Sequence, residues 1–277
     1  MRFHSVIVTS AADPAGRMIR QHLLKKALRL EDEIWILSEK PAVGLYEVEK
    51  ELLYIDQKDL AFDAEFIVFG SRHKSEKAIP SLLTHPTGNW GIALYGGKDF
   101  QVSVAAPWAM KAALQYFSYC ALNGFQIGYE VTHHGPLLDI PHAFVEIGSS
   151  VVQWEDVSLT KIVAEACYTA AHSSPGDCLV AVGIGGTHYA PRFTCVALNN
   201  KDICFGHMIP RYAYPEDESE LLKLVNMAIS RSGKEVKMIV LDSRKDSKKL
   251  KTIEDIKIPI LRAGDLCENR DSMSNMQ

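Results

Sequence analysis

The chain has 277 residues, of which 47% are apolar and 23% are charged. These values are typical of a soluble globular protein and exclude a disordered, collagen-like or coiled-coil polypeptide. The formal net charge of -4 argues against a general DNA or RNA binder, so an RNA partner has to be held by a local basic patch. No apolar stretch of about 18 residues is present, and the first residues do not resemble a signal peptide, which predicts a cytoplasmic protein that does not enter a membrane.

Strands and helices alternate in the first part of the chain. Residues 3–9 are β-branched and apolar and predict a strand, and residues 18–30 have the apolar spacing of a helix. Residues 33–38 and 66–70 predict two further strands, whereas residues 46–55 indicate an extended, half-exposed segment.

The same alternation continues through the middle of the chain. Residues 109–122 predict a helix after a proline, and residues 125–132 and 143–148 predict strands. Asp156 is placed to cap a helix that extends to about His172, because the apolar residues that follow it recur at helical spacing.

The last part completes an α/β pattern. Residues 178–184 form a continuous apolar run of the kind that is buried on both faces of a parallel sheet, followed by a helix at 218–230 and a strand at 236–242. Strands that alternate with helices predict one three-layer αβα domain with a mostly parallel sheet over residues 1–267. The polar residues 268–277 predict a frayed tail.

The cysteine pattern indicates neither a zinc ribbon nor a redox pair. The six cysteines lie at positions 120, 167, 178, 195, 204 and 267, and no two are separated by only two residues. A chain of this size does not depend on disulfides, so we expect six reduced and mostly buried thiols.

Chemistry-bearing residues gather where predicted strands end, which is the edge at which open α/β sheets bind ligands. Eight of the ten histidines lie between His73 and His207. The residues that follow predicted strands or lie in loops and glycine-rich turns are Ser71, Arg72, His73, His85, Asn89, Glu130, His133, His134, Glu146, His188, Tyr189 and Arg192.

Two histidines are adjacent at the end of a predicted strand. Side chains alternate along a strand, so Glu130, Thr132 and His134 are expected on one face and His133 on the other. The pair can therefore bind one metal ion only if the Gly135-Pro136 turn twists the backbone. The alternative is one structural and one solvent-exposed histidine.

A glycine-rich segment, Gly183 to Arg192, follows the apolar strand at 178–184. Its glycines allow a ligand to approach the main chain, and the N–H groups of Gly185 and Gly186 are candidate anion donors. The spacing does not match a dinucleotide fingerprint, and Pro191 discourages an immediate helix. His207 lies in a second Gly-His segment, for which a purely structural turn is equally compatible.

The histidines fit two kinds of catalysis. Neutral imidazoles beside Glu130 or Glu146 are usual zinc ligands, although no tight H-E-x-x-H or H-x-H spacing is present. Metal-free catalysis by histidine as a general base fits equally well. From the residues alone, both remain open for a histidine-rich, hydrolase-like pocket.

Two basic segments are candidates for contact with RNA phosphates. The helix predicted at 18–30 and the turn before it contain five basic residues between Arg17 and Arg29 and no acid, but the spacing spreads them around the helix. A second cluster, which includes Lys248 and Lys249, follows the last predicted strand and is better placed to hold a backbone phosphate.

The order and spacing of the motifs carry a resemblance that covers residues 5–242. The motifs are Asp13-Pro-Ala-Gly16, Ser71-Arg-His73, His85-Pro-Thr-Gly-Asn-Trp-Gly91, Tyr95-Gly-Gly-Lys98, Thr132-His-His-Gly-Pro136, Glu146-Ile-Gly-Ser149, Gly183-Ile-Gly-Gly-Thr-His-Tyr-Ala-Pro191 and Phe205-Gly-His-Met-Ile-Pro210. Together they resemble the archaeal and plant type of D-aminoacyl-tRNA deacylase. The sequence departs from that family at Met18, where the family often has Asn, and at Thr187, where it often has glycine.

The resemblance implies hydrolysis of the ester that joins a D-amino acid, such as D-tyrosine, to the terminal ribose of tRNA. It also implies a monomer that binds Zn²⁺, acts on the acceptor end of D-aminoacyl-tRNA, and has a fold similar to peptidyl-tRNA hydrolase and purine nucleoside phosphorylase. The alternatives are an enzyme acting on peptidyl-tRNA, N-modified aminoacyl-tRNA or nucleosides, and a non-catalytic zinc- or RNA-binding module.

Residue roles follow as hypotheses from this resemblance. The catalytic candidates are His133, His134, Glu130 and His188. The metal-ligand candidates are His73, His85, His134, His188, Glu146 and His207. The substrate-binding candidates are Asp13, Ser71, Arg72, Asn89, Gly185, Gly186, Tyr189, Arg192, Lys248 and Lys249.

Overall fold

A computed structural model describes residues 2–176, 178–247 and 256–267. The strands are β1 (Arg2–Ser10), β2 (Arg29–Glu31), β3 (Ile34–Glu39), β4 (Ala42–Val48), β5 (Asp63–Lys74), β6 (Ser81–His85), β7 (Gly88–Asn89), β8 (Gln101–Val102), β9 (Gln126–Tyr129), β10 (His142–Ser149), β11 (Leu179–Ile184), β12 (Ile203–Ile209), β13 (Val236–Leu241) and β14 (Ile260–Arg262). The helices are α1 (Pro14–Leu24), α2 (Pro107–Cys120), α3 (Val151–Trp154), α4 (Val157–Ala171), α5 (Pro191–Asn199), α6 (Glu218–Ser230), α7 (Arg244–Ser247) and α8 (Ala263–Cys267). Lys248, Lys249 and the tail at 268–277 lie outside the described residues.

The larger sheet has the strand order β2-β3-β4-β1-β5-β10-β6-β9. Its central strands β4, β1, β5 and β10 are parallel, while β2, β3 and β6 add antiparallel pairs. The β-branched run in β1 suits this central position, since it is buried on both faces of the sheet.

A second, fully parallel sheet has the order β12-β11-β13-β14. The expected α/β class with a mostly parallel sheet is therefore confirmed, but the described strands are divided between two main sheets and a separate antiparallel pair, β7 and β8. Helix α2 packs against strands of both sheets, so the two share one main apolar core.

Helices α1, α2 and α4 cover one face of the larger sheet, and residues 48–64, with two 3₁₀ turns, cover the other. Asp156 caps α4 as predicted, because its carboxylate accepts hydrogen bonds from the backbone N–H groups of Ser158 and Leu159, each at 2.8 Å. Among the described residues, no helix combines the length and the apolar character that crossing a bilayer requires.

Two helix starts differ from the expectations. The helix predicted at 18–30 begins at Pro14, where Asp13 caps it, and ends at Leu24, so that 29–31 is free to form β2. The expectation that Pro191 discourages a helix is wrong, since Pro191 is the first residue of α5. A proline in the first turn of a helix costs no hydrogen bond and supplies the helical φ angle.

The cysteines also differ from the expectation of six free thiols. Cys178 is paired with Cys204 and Cys195 with Cys267. Cys120 and Cys167 are free. Spacing along the sequence could not predict these pairs, because each joins segments that the parallel sheet or the packing of α8 on α5 brings together.

Candidate active site

A cavity of about 1430 Å³ opens near the carboxyl ends of β5 and β10. It is lined by many of the residues that the sequence singled out, namely Asp13, Ser71, Arg72, His73, Asn89, His133, His134, Glu146 and His188. Glu130 and His85 lie buried behind this wall. The cavity therefore opens at the edge of the sheet that was predicted to carry the chemistry.

The register of two parallel strands places the first polar pair. Ser71 on β5 lies opposite Glu146 on β10, and its hydroxyl donates to Glu146 Oε1 at 3.0 Å. Asp13, the cap of α1, also accepts a hydrogen bond from the backbone N–H of Arg72 at 2.8 Å. The start of the first helix and the end of β5 are thus held together at the cavity floor.

Glu130 is the most unusual group of the site. It follows β9 and is completely buried, with its Oε1 at 2.8 Å from His188 Nε2 and its Oε2 at 3.4 Å from His73 Nδ1. These contacts lack the directionality of hydrogen bonds, so neither carboxylate oxygen has a hydrogen-bond partner. A buried carboxylate without such a partner is costly unless a cation compensates it.

Both adjacent histidines face the same neighbour. The ring of His85 lies 4.3 Å from that of His133 and 4.8 Å from that of His134, measured between centroids. Regular strand alternation would separate the two, but the strand ends at Tyr129 and His134 has a left-handed backbone with φ of 42°. The backbone therefore twists at His134, so that the two adjacent histidines lie on the same side.

Backbone carbonyl groups orient three of these rings. His133 donates its Nδ1–H to the carbonyl of Val131 at 2.8 Å, and His134 donates its own to Gly135 at 2.5 Å. His85 Nδ1 similarly contacts the carbonyl of Pro86 at 3.2 Å. In His133 and His134 the Nε2 keeps its lone pair, the arrangement found in most histidine metal ligands and general bases.

Burial keeps the adjacent pair neutral. It lowers the pKa of His133 well below the ordinary value, and the nearby ring of His85 lowers it further. The same causes lower the pKa of His134 to about 4. Both rings are therefore uncharged at neutral pH, which leaves a nitrogen lone pair available to a cation.

His73 and His85 titrate in the opposite direction. Burial lowers the pKa of each, but the carboxylates of Glu146 and Glu130 outweigh burial and raise the pKa overall. Burial likewise disfavours the charged form of Glu146, yet the two histidines hold its pKa far below the usual range. The site thus combines the neutral imidazoles of His133 and His134 with the Glu146 carboxylate, which is paired with His73 and His85.

Among the residues that the structure describes, three overlapping sets of side chains have ligand atoms within 4.8 Å of one another. The sets are Glu130, His133 and His188; His85, His133 and His134; and His73, Glu130 and Glu146. Because the sets share His133 and Glu130, they form one continuous cluster of seven groups.

His207, predicted as a metal ligand, does not belong to this cluster. It is completely buried, its Nε2–H donates to the carbonyl of Ser103 at 2.9 Å, and its Nδ1 accepts from the hydroxyl of Thr132 at 3.1 Å. Both ring nitrogens are occupied, which contradicts the predicted metal role, and His207 lies within β12 rather than in the structural turn that was the alternative.

Of the glycine-rich segment, His188 lines the cavity, whereas Gly185, Gly186 and Arg192 do not. The N–H of Gly185 is donated to the carbonyl of Ile209 at 2.8 Å, which removes it as a donor to a substrate anion. Gly186 packs against Asp242, and Arg192 donates to the Asp242 carbonyl at 2.6 Å. These predicted substrate contacts belong to the end of the smaller sheet rather than to the cavity.

Two other predicted substrate contacts have positioning partners. The Tyr189 hydroxyl donates to Ser75 Oγ at 3.2 Å and lies 3.4 Å from His73 Nε2. The side-chain amide of Asn89 donates to the carbonyl of Gly96 at 3.0 Å and so holds the following loop.

Sequence reasoning missed one group at this site. The Tyr212 hydroxyl lies 3.3 Å from His188 Nδ1, and the ring lines the cavity. No local pattern distinguishes this tyrosine, because it reaches the site only when β12 returns beside β11.

Comparisons of sequence and overall fold with known proteins point to one family. A family model described as D-aminoacyl-tRNA deacylase matches residues 60–259. The D-aminoacyl-tRNA deacylases of Thermococcus kodakarensis and Pyrococcus abyssi are 41% and 39% identical to this chain, each over 86% of it and 90% of the relative. A crystal structure described as a conserved protein of unknown function has a TM-score of 0.81 and 30% identity, and covers 96% of this chain and 98% of its own.

Proposed function

The chain belongs to the D-aminoacyl-tRNA deacylase family, and on that premise we propose that it hydrolyses the ester between a D-amino acid and the terminal ribose of tRNA. Free tRNA and a free D-amino acid are the products. The observation that carries the proposal is the buried cluster of two carboxylates and five imidazoles beside the large cavity.

Ester hydrolysis needs an oriented water molecule and a group that accepts its proton. We assign the proton acceptor to the adjacent pair, because His133 and His134 are neutral and have Nε2 free. The ribose oxygen is a reasonable leaving group, so the proton can be returned to it as the ester bond breaks.

The residues fit a zinc ion. Glu130 has two buried oxygens without hydrogen bonds, and His85 Nε2 is buried without one. Imidazole and carboxylate are zinc ligands in many hydrolases, and the sets around Glu130 and around His85 would hold the ion. When bound, zinc supplies Lewis acidity toward the ester carbonyl and toward water.

The chain's own groups tune the site around such an ion. Ser71 holds one oxygen of Glu146, and Tyr212 contacts the second nitrogen of His188. Such outer contacts fix ring and carboxylate orientation and are usually needed for full activity.

The assignment is tested with D-tyrosyl-tRNA and L-tyrosyl-tRNA as substrates. We expect wild-type protein to hydrolyse the D form, and His134→Ala and His188→Ala to lower kcat by about 10²- to 10⁴-fold. His172→Ala is the matched control, because His172 is the C-cap of α4 and its ring contacts Tyr168 rather than the cavity. Wild-type rates in both site variants would contradict the assignment.

The zinc proposal has its own readout. Glu130→Gln keeps the shape of the side chain but removes the charge that a cation compensates. We expect this variant to retain less zinc than wild type after dialysis, measured by elemental analysis, and chelator to remove activity that added zinc restores. Equal zinc content in both proteins would count against it.

We further propose that the protein works as a monomer in the cytoplasm. The seven groups of the cluster meet within a single copy of the chain, which supports a monomer. Light scattering of the active protein tests the oligomeric state. Assay with N-acetyl-L-tyrosyl-tRNA tests the alternative that peptidyl-tRNA or N-modified aminoacyl-tRNA is the substrate.

A further inference from the structure

The mouth of the cavity has an apolar rim that faces solvent. Its members line the cavity and have large exposed side chains: Tyr54, Ile92, Leu94, Tyr95, Phe100 and Tyr212. Leu94 is 76% exposed, Tyr95 63% and Phe100 59%. An apolar cluster of this kind at the entrance of a site marks a surface that a ligand covers.

The loop that carries most of the rim is fixed to the catalytic histidines. The backbone N–H of Gly135 donates to the carbonyl of Tyr95 at 2.8 Å, next to the histidine pair. The N–H of Phe100 donates to the carbonyl of Gly91 at 2.9 Å and closes the loop. The rim therefore stands in a set position relative to the site rather than moving as a free loop.

Close packing and backbone conformation add to this fixed position. Gly96 has φ of 69° and lies so close to the Leu53 carbonyl that a Cβ would be 1.9 Å from its oxygen. Phe100 has φ of 53°, an unfavourable conformation for a bulky residue, yet its ring is exposed. In the free protein, burial of the ring does not offset the cost of this conformation.

We propose that this rim is a stacking platform for the unpaired bases next to the esterified adenosine at the 3′ end of the tRNA. The inference rests on the proposed function, which places the ester inside the cavity. The nucleotides that precede the ester then leave through the mouth, where aromatic and aliphatic side chains meet their flat faces. Stacking of this kind is how proteins commonly hold single-stranded RNA.

The charges at the mouth fit the same occupant. Lys74 lines the cavity and Lys98 lies on the rim loop, and within the described ranges neither forms an ion pair. Of the exposed acids that line the cavity, Glu51 is paired with Arg72 and Glu220 with Lys223, whereas Glu76 has no ion pair with a described residue. The free lysines are therefore available to the phosphates between the stacked bases.

The test compares a long and a short substrate. Tyr95→Ala and Phe100→Ala are assayed with D-tyrosyl-tRNA and with D-tyrosyl-adenosine, which lacks the preceding nucleotides. Stacking predicts that KM for the tRNA rises by about five- to one-hundred-fold while kcat stays the same, and that neither value changes for the short substrate. Tyr95→Phe, which keeps the ring, is expected to behave as wild type. Tyr119→Ala is expected to do the same, because Tyr119 is an exposed tyrosine on α2 that does not line the cavity.

Unchanged KM for the tRNA would overturn the proposal, and so would an equal change with both substrates. A binding measurement separates its failure from failure of the proposed function. Uncharged tRNA and the same tRNA without its last four nucleotides are titrated into each protein. We expect Tyr95→Ala to weaken binding of the intact tRNA only. If wild type binds the intact tRNA more tightly than the shortened one but hydrolyses no D-aminoacyl-tRNA, the proposed function fails and the stacking platform stands.

Discussion

His134 and His207 show how differently two histidines of one chain are used. Both have a pKa of about 4 because burial disfavours the charged ring. His207 has protein partners on both nitrogens, whereas His134 has one partner and a free Nε2 at the cavity. The number of occupied nitrogens, rather than the pKa, separates the structural ring from the one that we propose to be reactive.

The lowered pKa of His207 predicts a dependence of stability on pH. Its folded pKa is about 4 and its unfolded pKa about 6.5, so between these values the unfolded chain binds a proton that the folded chain does not. The free energy of unfolding therefore falls as pH drops through this range, by about 3 kcal/mol from this group.

His207→Gln is expected to reduce that pH dependence, since glutamine can keep both hydrogen bonds but does not titrate. Urea unfolding at pH 7 and pH 4.5 measures the effect, with His172→Gln as the control at the end of α4. The prediction is wrong if the two variants lose stability equally on acidification.

At the scale of elements, a buried lysine joins helices that local patterns do not relate. Lys111 on α2 is 6% exposed, and its ammonium donates to the carbonyls of Ala197, Asn200 and Ile203, the last two at 2.7 and 3.0 Å. These carbonyls mark the end of α5 and the start of β12, where a cation also suits the helix dipole. The lysine thus fixes α2 against the smaller sheet.

Lys111→Met is expected to lower the free energy of unfolding by about 2–3 kcal/mol, because three carbonyl groups lose a charged donor. Lys161→Met on the exposed face of α4 is the control and should change stability by less than about 0.5 kcal/mol. Denaturant unfolding compares the two. Equal stability of both variants would show that the contacts contribute little.

The elements differed in how well local patterns predicted them. β1, α4 and β13 were predicted within about two residues, because their apolar residues follow the period of a strand or helix. β6 and β12 were missed, since both lie among Gly, Pro and His residues that suggest turns. Their strand conformation depends on pairing with β10 and β11.

At the scale of the whole molecule, a negative net charge is compatible with tRNA binding only if local contacts supply the affinity. A total of -4 repels the body of an RNA, so affinity has to come from the acceptor end. Lys98 at the rim is expected to contribute one phosphate contact, whereas Phe100 contributes stacking without charge.

Salt dependence distinguishes these two contributions. In a plot of log affinity for tRNA against log salt, Lys98→Gln should reduce the slope by about 0.7, the value for one phosphate of a single strand. Phe100→Ala should weaken binding without changing the slope, and exposed Lys201→Gln at the start of β12 should change neither. A slope that Lys98→Gln leaves unchanged would exclude the phosphate contact.

The sequence by itself determined the α/β class, the four longest described helices, half of the described strands, and the histidines and acids of the candidate site, because apolar period and motif order are local properties. Only the tertiary structure decided which of these residues meet. Ser71 reaches Glu146 through strand register, and His188 reaches Glu130 through the junction of two sheets. Packing also gives His207 partners outside the cluster and brings Tyr212 beside His188. Contacts between residues far apart in sequence depend on how sheets pack, which no local pattern encodes.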